Sequence, residues 1–143
     1  MSDLPSPNGL VLSPQENILF VNVTRANAVW RLPLHADDRV DKAGVFLQLS
    51  GGMSGPDGLA IDEQGGLAVA HSGLGAVWLF DRLGQPKYRV CSCAGLKTTN
   101  LAFGGDDRRM LFITESETGS ILVARVPVAG YPMFSHCQDE GLS

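Results

Sequence analysis

One pattern occurs three times in this chain. Pro7-Asn8-Gly9-Leu10-Val11-Leu12, Pro56-Asp57-Gly58-Leu59-Ala60-Ile61 and Thr98-Thr99-Asn100-Leu101-Ala102-Phe103 each set a small polar residue two positions before a leucine, ahead of an alternating apolar strand. The offsets are 49 residues from Asn8 to Asp57 and 42 from Asp57 to Thr99. A strand-rich repeat of this size predicts the blades of a β-propeller. Equivalent positions of successive blades converge on a propeller's central channel, so Asn8, Asp57 and Thr99 become candidate site residues.

The rest of each unit supports the reading. In the first, Ser13–Asn17 reads as a turn, Ile18–Val23 and Ala28–Leu32 as strands, and Gly44–Leu49 as a fourth strand. The second repeats this with the turn Asp62–Gly66 and strands over Leu67–His71, Ala76–Phe80 and Lys87–Ser92. Val29-Trp30 and Val77-Trp78 begin 21 and 20 residues after Asn8 and Asp57. The third unit has strands over Met110–Glu115 and Ser120–Ala124. No helical period appears, and 17 glycines and 8 prolines suit short strands joined by tight turns. The expectation is an all-β partial propeller, residues 1–143, of about three four-stranded blades. Closed propellers have about 4–8 blades, so three leave sheet faces open. Either an N-terminal half is missing, as the position of the first motif near Met1 favours, or the chain self-associates.

A hydrophobic content of 44% with 18% charged residues fits a folded chain. The net charge of −4 and scattered basic residues argue against nucleic acid; the pair Arg108-Arg109 follows Asp106-Asp107 and reads as an exposed turn. No apolar run approaches the roughly 18 residues of a membrane helix, and the N-terminus lacks signal-peptide character. No membrane partner and a cytoplasmic location are expected. The three cysteines, Cys91, Cys93 and Cys137, lack metal or redox spacing and read as reduced, buried thiols.

Pro7-Asn8-Gly9-Leu10 with Ser13-Pro14, Asn27–Arg31, Gly55–Asp62, Val69-Ala70-His71 and Thr98–Gly105 together resemble the SMP-30/gluconolactonase family over about residues 5–136. The resemblance implies the C-terminal half of a six-bladed propeller that hydrolyses sugar lactones and related esters with a divalent cation, calcium or zinc, in its channel. It implies Asn8 as a metal ligand and Asp57 as metal ligand and general acid/base. The family's third ligand, a glutamate near the N-terminus of the full propeller, has no counterpart here, nor have the substrate-contacting residues of the earlier blades.

An amide oxygen and a carboxylate suit hard cations, and a carboxylate can carry a proton from water to a leaving alkoxide. Two side chains fill little of calcium's shell of about 6–8 oxygens, so the chain alone should bind metal weakly. Asn-Gly and Asp-Gly are also ordinary turn dipeptides. Thr99 either touches substrate or satisfies backbone groups at a strand end. His71 and Glu115 end equivalent second strands, where Val23 stands in the first unit, and read most simply as a hydrogen-bonded histidine and a solvated carboxylate. His35 belongs to a polar connector, and His136-Cys137 lies beyond the third unit. No GxSxG elbow or phosphate-binding glycine loop is present. A non-catalytic propeller remnant, a metal-free binding scaffold of the NHL kind, and a strictosidine-synthase-like or paraoxonase-like propeller are the alternatives.

Overall fold

A computed structural model of the chain describes residues 2–37, 39–40 and 42–132. Eleven strands follow one another: β1 Pro7–Leu12, β2 Ile18–Val23, β3 Ala28–Pro33, β4 Gly44–Gln48, β5 Gly55–Ile61, β6 Leu67–Ser72, β7 Ala76–Phe80, β8 Pro86–Cys91, β9 Thr98–Gly104, β10 Met110–Glu115 and β11 Ser120–Arg125. They form three antiparallel meanders: β1-β2-β3-β4, β5-β6-β7-β8 and, among the described residues, a three-stranded β9-β10-β11. These are the three expected blades.

The turns have identifiable chemistry. Asp62 Oδ1 accepts the N–H groups of Gln64 and Gly66, and Asp81 Oδ1 those of Leu83 and Gln85. Such Asx turns reverse the chain within a few residues, with glycine taking the left-handed position; Gly65 and Gly84 have φ of 81° each.

Apolar residues on both faces of the blades seal them together. Phe20, Val29 and Leu47 of the first blade bury against Leu59, Leu67 and Val69 of the second. On the other face of the second blade, Ala68, Ala70 and Val77 meet Leu101, Leu111 and Ile113 of the third. This explains why β6 reads as a nearly continuous apolar run, packed by blades on both sides; β2 has the second blade on one side and Leu4 and Ala43 on the other. Strands β1, β5 and β9 edge their sheets and touch across the blade boundaries, which places them together at the axis of the array.

Two expectations change. Cys91 and Cys93 are exposed free thiols rather than buried ones, because β8 is the outer edge of its sheet and shows most of its residues to solvent. Cys137 lies outside the described residues. In the Asp106–Arg109 turn, Arg108 is half-buried: its Nε donates to the Gly130 carbonyl and its guanidinium pairs with Glu63 at 3.4 Å.

Glu115 also departs from expectation. It is buried, not solvated. Its carboxylate accepts the backbone N–H groups of Lys97, Glu117 and Thr118 and the Thr118 hydroxyl. These bonds hold its pKa down to about 2, led by the Thr118 side chain. Because the folded value lies below the ordinary 4.5, the ionised form stabilises the fold above that range, and the contribution disappears as pH falls toward 2. Glu115→Gln is therefore expected to lower the melting temperature at pH 7 and to flatten its fall between pH 5 and 2. Thermal melts of both proteins across that range check this, and parallel curves would refute it.

Candidate functional site

The three motif copies share a backbone irregularity that re-aims their side chains. Strand register shifts between Pro7 and Leu10, between Pro56 and Leu59, and opposite Thr114/Glu115 at Thr98–Asn100. Each shift is a bulge, two residues facing one on the neighbouring strand, which bends the strand and turns its side chains. Asn8, Asp57 and Thr99 sit on these bulges, at the same end of the three innermost strands.

The structure brings two of the three together. Asn8 is exposed and Asp57 half-buried, and the Asn8 side chain lies near enough to the Asp57 carboxylate, across the blade boundary, to favour its ionised form. The Asn8 amide donates to Thr24 Oγ1 at 3.4 Å, whose hydroxyl donates to the Pro56 carbonyl at 2.8 Å. Thr99 occupies the matching place on β9, but its hydroxyl is engaged with Thr114 Oγ1 at 2.9 Å, and no hydrogen bond joins it to Asn8 or Asp57 among the described residues.

Burial raises the pKa of Asp57, with the neighbouring Asn8 side chain working against it. A carboxylate that pays for its charge has much to gain from a nearby cation and stands closer to the range where proton transfer at neutral pH is efficient. Both candidate ligands are oxygen donors, the chemistry a hard divalent ion selects. Their number falls short: no group of three or more His, Cys, Asp or Glu converges among the described residues. Asn8 and Asp57 fit part of such a site, leaving other positions to water or to groups beyond these three blades.

Two residues of the site escape the sequence reading. Asn22 is fully buried, and its Nδ2 donates to the carbonyls of Asp57 at 2.8 Å and Gly58 at 3.0 Å. It pins the second motif's bulge to the first blade, as Thr24 pins Pro56. The repeat hides both, since the places of Asn22 and Thr24 are taken by Ala70 and Ser72 in the second unit.

His71 sits one layer behind. It is fully buried, and the Trp78 indole N–H donates to its Nδ1 at 3.2 Å. The other ring nitrogen then carries the proton; it faces Gly52, where a Cβ would lie 2.8 Å away. Burial lowers the His71 pKa, opposed by the Gly51 backbone, so the ring stays neutral and acts as packing for the β4–β5 loop. His35 is exposed. A cleft of about 550 Å³ lined by Asp62, Phe80, Tyr88, Phe103 and Val126 opens at the far end of the blades, since Asp62 follows the C-terminal end of β5 and Asp57 stands near its start.

Residues 1–117 match the model of the SMP-30/gluconolactonase/LRE-like region. Lactonase drp35 of Staphylococcus epidermidis is 33% identical over 113 residues, 77% of this chain and 31% of that protein. Its counterpart in Staphylococcus aureus is 37% identical over 87 residues, 55% of this chain and 25% of that protein. The chain thus spans a quarter to a third of the length of these relatives. Among solved structures, a putative gluconolactonase superposes with a TM-score of 0.75 at 29% identity, covering 89% of this chain and 41% of that one. A calcium-binding protein, regucalcin, from Agrobacterium tumefaciens gives 0.74 at 28% identity, covering 87% and 47%. No helix among the described residues is long and apolar enough to cross a membrane.

Proposed function

Because the chain belongs to the SMP-30/gluconolactonase/LRE-like family, we propose that residues 1–143 are one three-blade unit of a metal-dependent lactone hydrolase. Asn8 and Asp57 hold the cation, calcium or zinc, and Asp57 also moves the proton. The observation that carries this reading is the Asn8–Asp57 pair: two oxygen donors on equivalent bulges of neighbouring blades, with the carboxylate's pKa raised by burial and opposed by Asn8. The relatives' names support the substrate class, a small-molecule lactone.

A bound divalent cation supplies Lewis-acid polarisation of the lactone carbonyl and a more acidic water. The chain's own groups do the rest. Asp57 accepts a proton from the attacking water and returns it to the ring oxygen as the ester C–O bond breaks, giving the hydroxy acid. Asn8 orients the carboxylate, and Asn22 fixes the backbone that carries it. Thr99 lines the same channel and meets substrate. The setting we propose for this chemistry is cytoplasmic. The catalytic unit is larger than these three blades: two oxygen ligands are too few for the cation, and the matched relatives are more than twice as long.

The test is lactone hydrolysis followed in a pH-stat with calcium, zinc or chelator. The expected result is saturable turnover that chelation abolishes and one cation restores. Turnover untouched by chelation would remove the metal from the mechanism; a folded, fully assembled protein inert with both cations would favour a non-catalytic remnant.

A further inference from the structure

The array ends in two sheet faces that no other blade covers among the described residues, and the repeat register shows what those faces are built to meet. Leu10 and Leu12 in β1 hold the positions of Leu59 and Ile61 in β5, 49 residues later. Packed under the first blade, Leu59 is 8% exposed; Leu10, on the free face, is 62% exposed. Trp30 and Trp78 are likewise equivalent. Trp78 gives its indole N–H to His71, whereas Trp30 Nε1 is buried on the free side without an acceptor. Leu4 and Ala43 pack there only against a cluster of Val21, Val23 and Leu32.

The other end tells the same story. Ile121 pairs with Thr114 as Val29 pairs with Asn22 and Val77 with Ala70, so the three are equivalent. Val29 and Val77 are fully buried at blade boundaries; Ile121 is 63% exposed. Phe112 stands where Phe20 does, three residues before the end of the second strand, and is exposed with Val123 where Phe20 is buried. Both end faces therefore carry the apolar code that the internal boundaries bury.

We propose that a second copy of this chain covers both faces at once. The third blade of each copy packs on the first blade of the other, closing a two-fold ring. The choice of occupant follows from closure. Propellers close with about 4–8 blades; two copies of three blades supply six, one copy supplies too few and three copies too many. The chain also covers 47% of regucalcin at a TM-score of 0.74, so a second copy has the bulk of what that fold adds. The two contacts are identical by symmetry, as a closed dimer requires, and each continues the boundary already seen between neighbouring blades. On the reading given under Proposed function, which this consequence alone rests on, the ring lines one channel with Asn8, Asp57 and Thr99 of both copies.

Sedimentation equilibrium on the 143-residue chain tests this. The expected species has twice the 15.2 kDa mass of one chain, with nothing larger. Leu10→Asp and Val123→Asp, each placing a charge in an apolar contact, should each raise the dissociation constant roughly 100-fold. Both side chains are exposed in the single chain, so its strand circular dichroism should not change. Neither variant should dimerise alone, yet an equimolar mixture should form a heterodimer, because one of its two contacts is intact. A monomer throughout the micromolar range overturns the proposal. So does a dimer that survives Leu10→Asp, which would mean a contact between like blades, and so does an open chain that grows with concentration. None of these readouts needs a lactone or a metal, so an inactive protein leaves the ring standing and a monomeric one leaves the chemistry to be judged separately.

Discussion

Asn in place of Asp57 should lower kcat/KM for lactone hydrolysis by about 10³-fold, inside the range of about 10²–10⁴ that a positioned acid/base group supplies, and leave the fold intact. The shape of the side chain hardly changes; what disappears is the charge and the ability to take up a proton. Folding should tolerate the loss because the bulge is held through its backbone, by Asn22 to the Asp57 and Gly58 carbonyls and by Thr24 to that of Pro56. The direction of the pKa shift adds a second readout. Burial raises the Asp57 pKa above 3.8, so the ionised carboxylate weakens the folded state at neutral pH rather than supporting it. The variant should therefore melt at the same temperature as the parent or slightly above it, while losing activity. Unchanged turnover would remove Asp57 from the chemistry. A fall in melting temperature in step with activity would make it a structural residue.

The strand plan was almost fully legible in the sequence, because short apolar runs and the turn residues that bound them act locally. Ile18–Val23, Ala76–Phe80 and Met110–Glu115 stand where the apolar runs and the Gly/Asp turns put them. The motif register was legible too: Pro7, Pro56 and Thr98 pair with Val23, His71 and Glu115, the three second-strand ends that the repeat lines up. What the sequence hid depends on which blade lies next door. Nothing local distinguishes the buried Glu115, held by a turn three residues on, from a solvated strand-end carboxylate. Nothing local shows that β8 is an outer edge, so the two cysteines read as core. Asn22 looks like a polar interruption in an apolar run until β5 is placed against it, when it becomes the clamp on the candidate site.

That clamp works only because β1 and β5 approach without side chains between them, and Gly9→Ala should show how much depends on it. A Cβ at Gly9 would lie 2.4 Å from the Asp57 carbonyl oxygen and 3.0 Å from Gly58 Cα and Leu59 N. All three are backbone atoms of the bulge, so no rotamer change relieves the clash and the blades must separate. Overpacking of this kind costs about 1–3 kcal/mol, more where backbone has to move, and about 3 kcal/mol is expected here. For a chain of this size that corresponds to a drop in melting temperature of roughly 10 °C. Gly44→Ala is the matched control: it also lies in a strand, with nothing within 4 Å of the added methyl, and should stay within about 0.5 kcal/mol of the parent. Gly9→Ala should further lower any lactonase activity at temperatures where the variant remains folded, because parting the strands draws Asn8 away from the Asp57 carboxylate it steadies. Denaturant titrations and kcat/KM for the two variants separate these effects. Equal stability of Gly9→Ala and Gly44→Ala would mean that β1 and β5 do not make the close approach on which the Asn8–Asp57 pair depends.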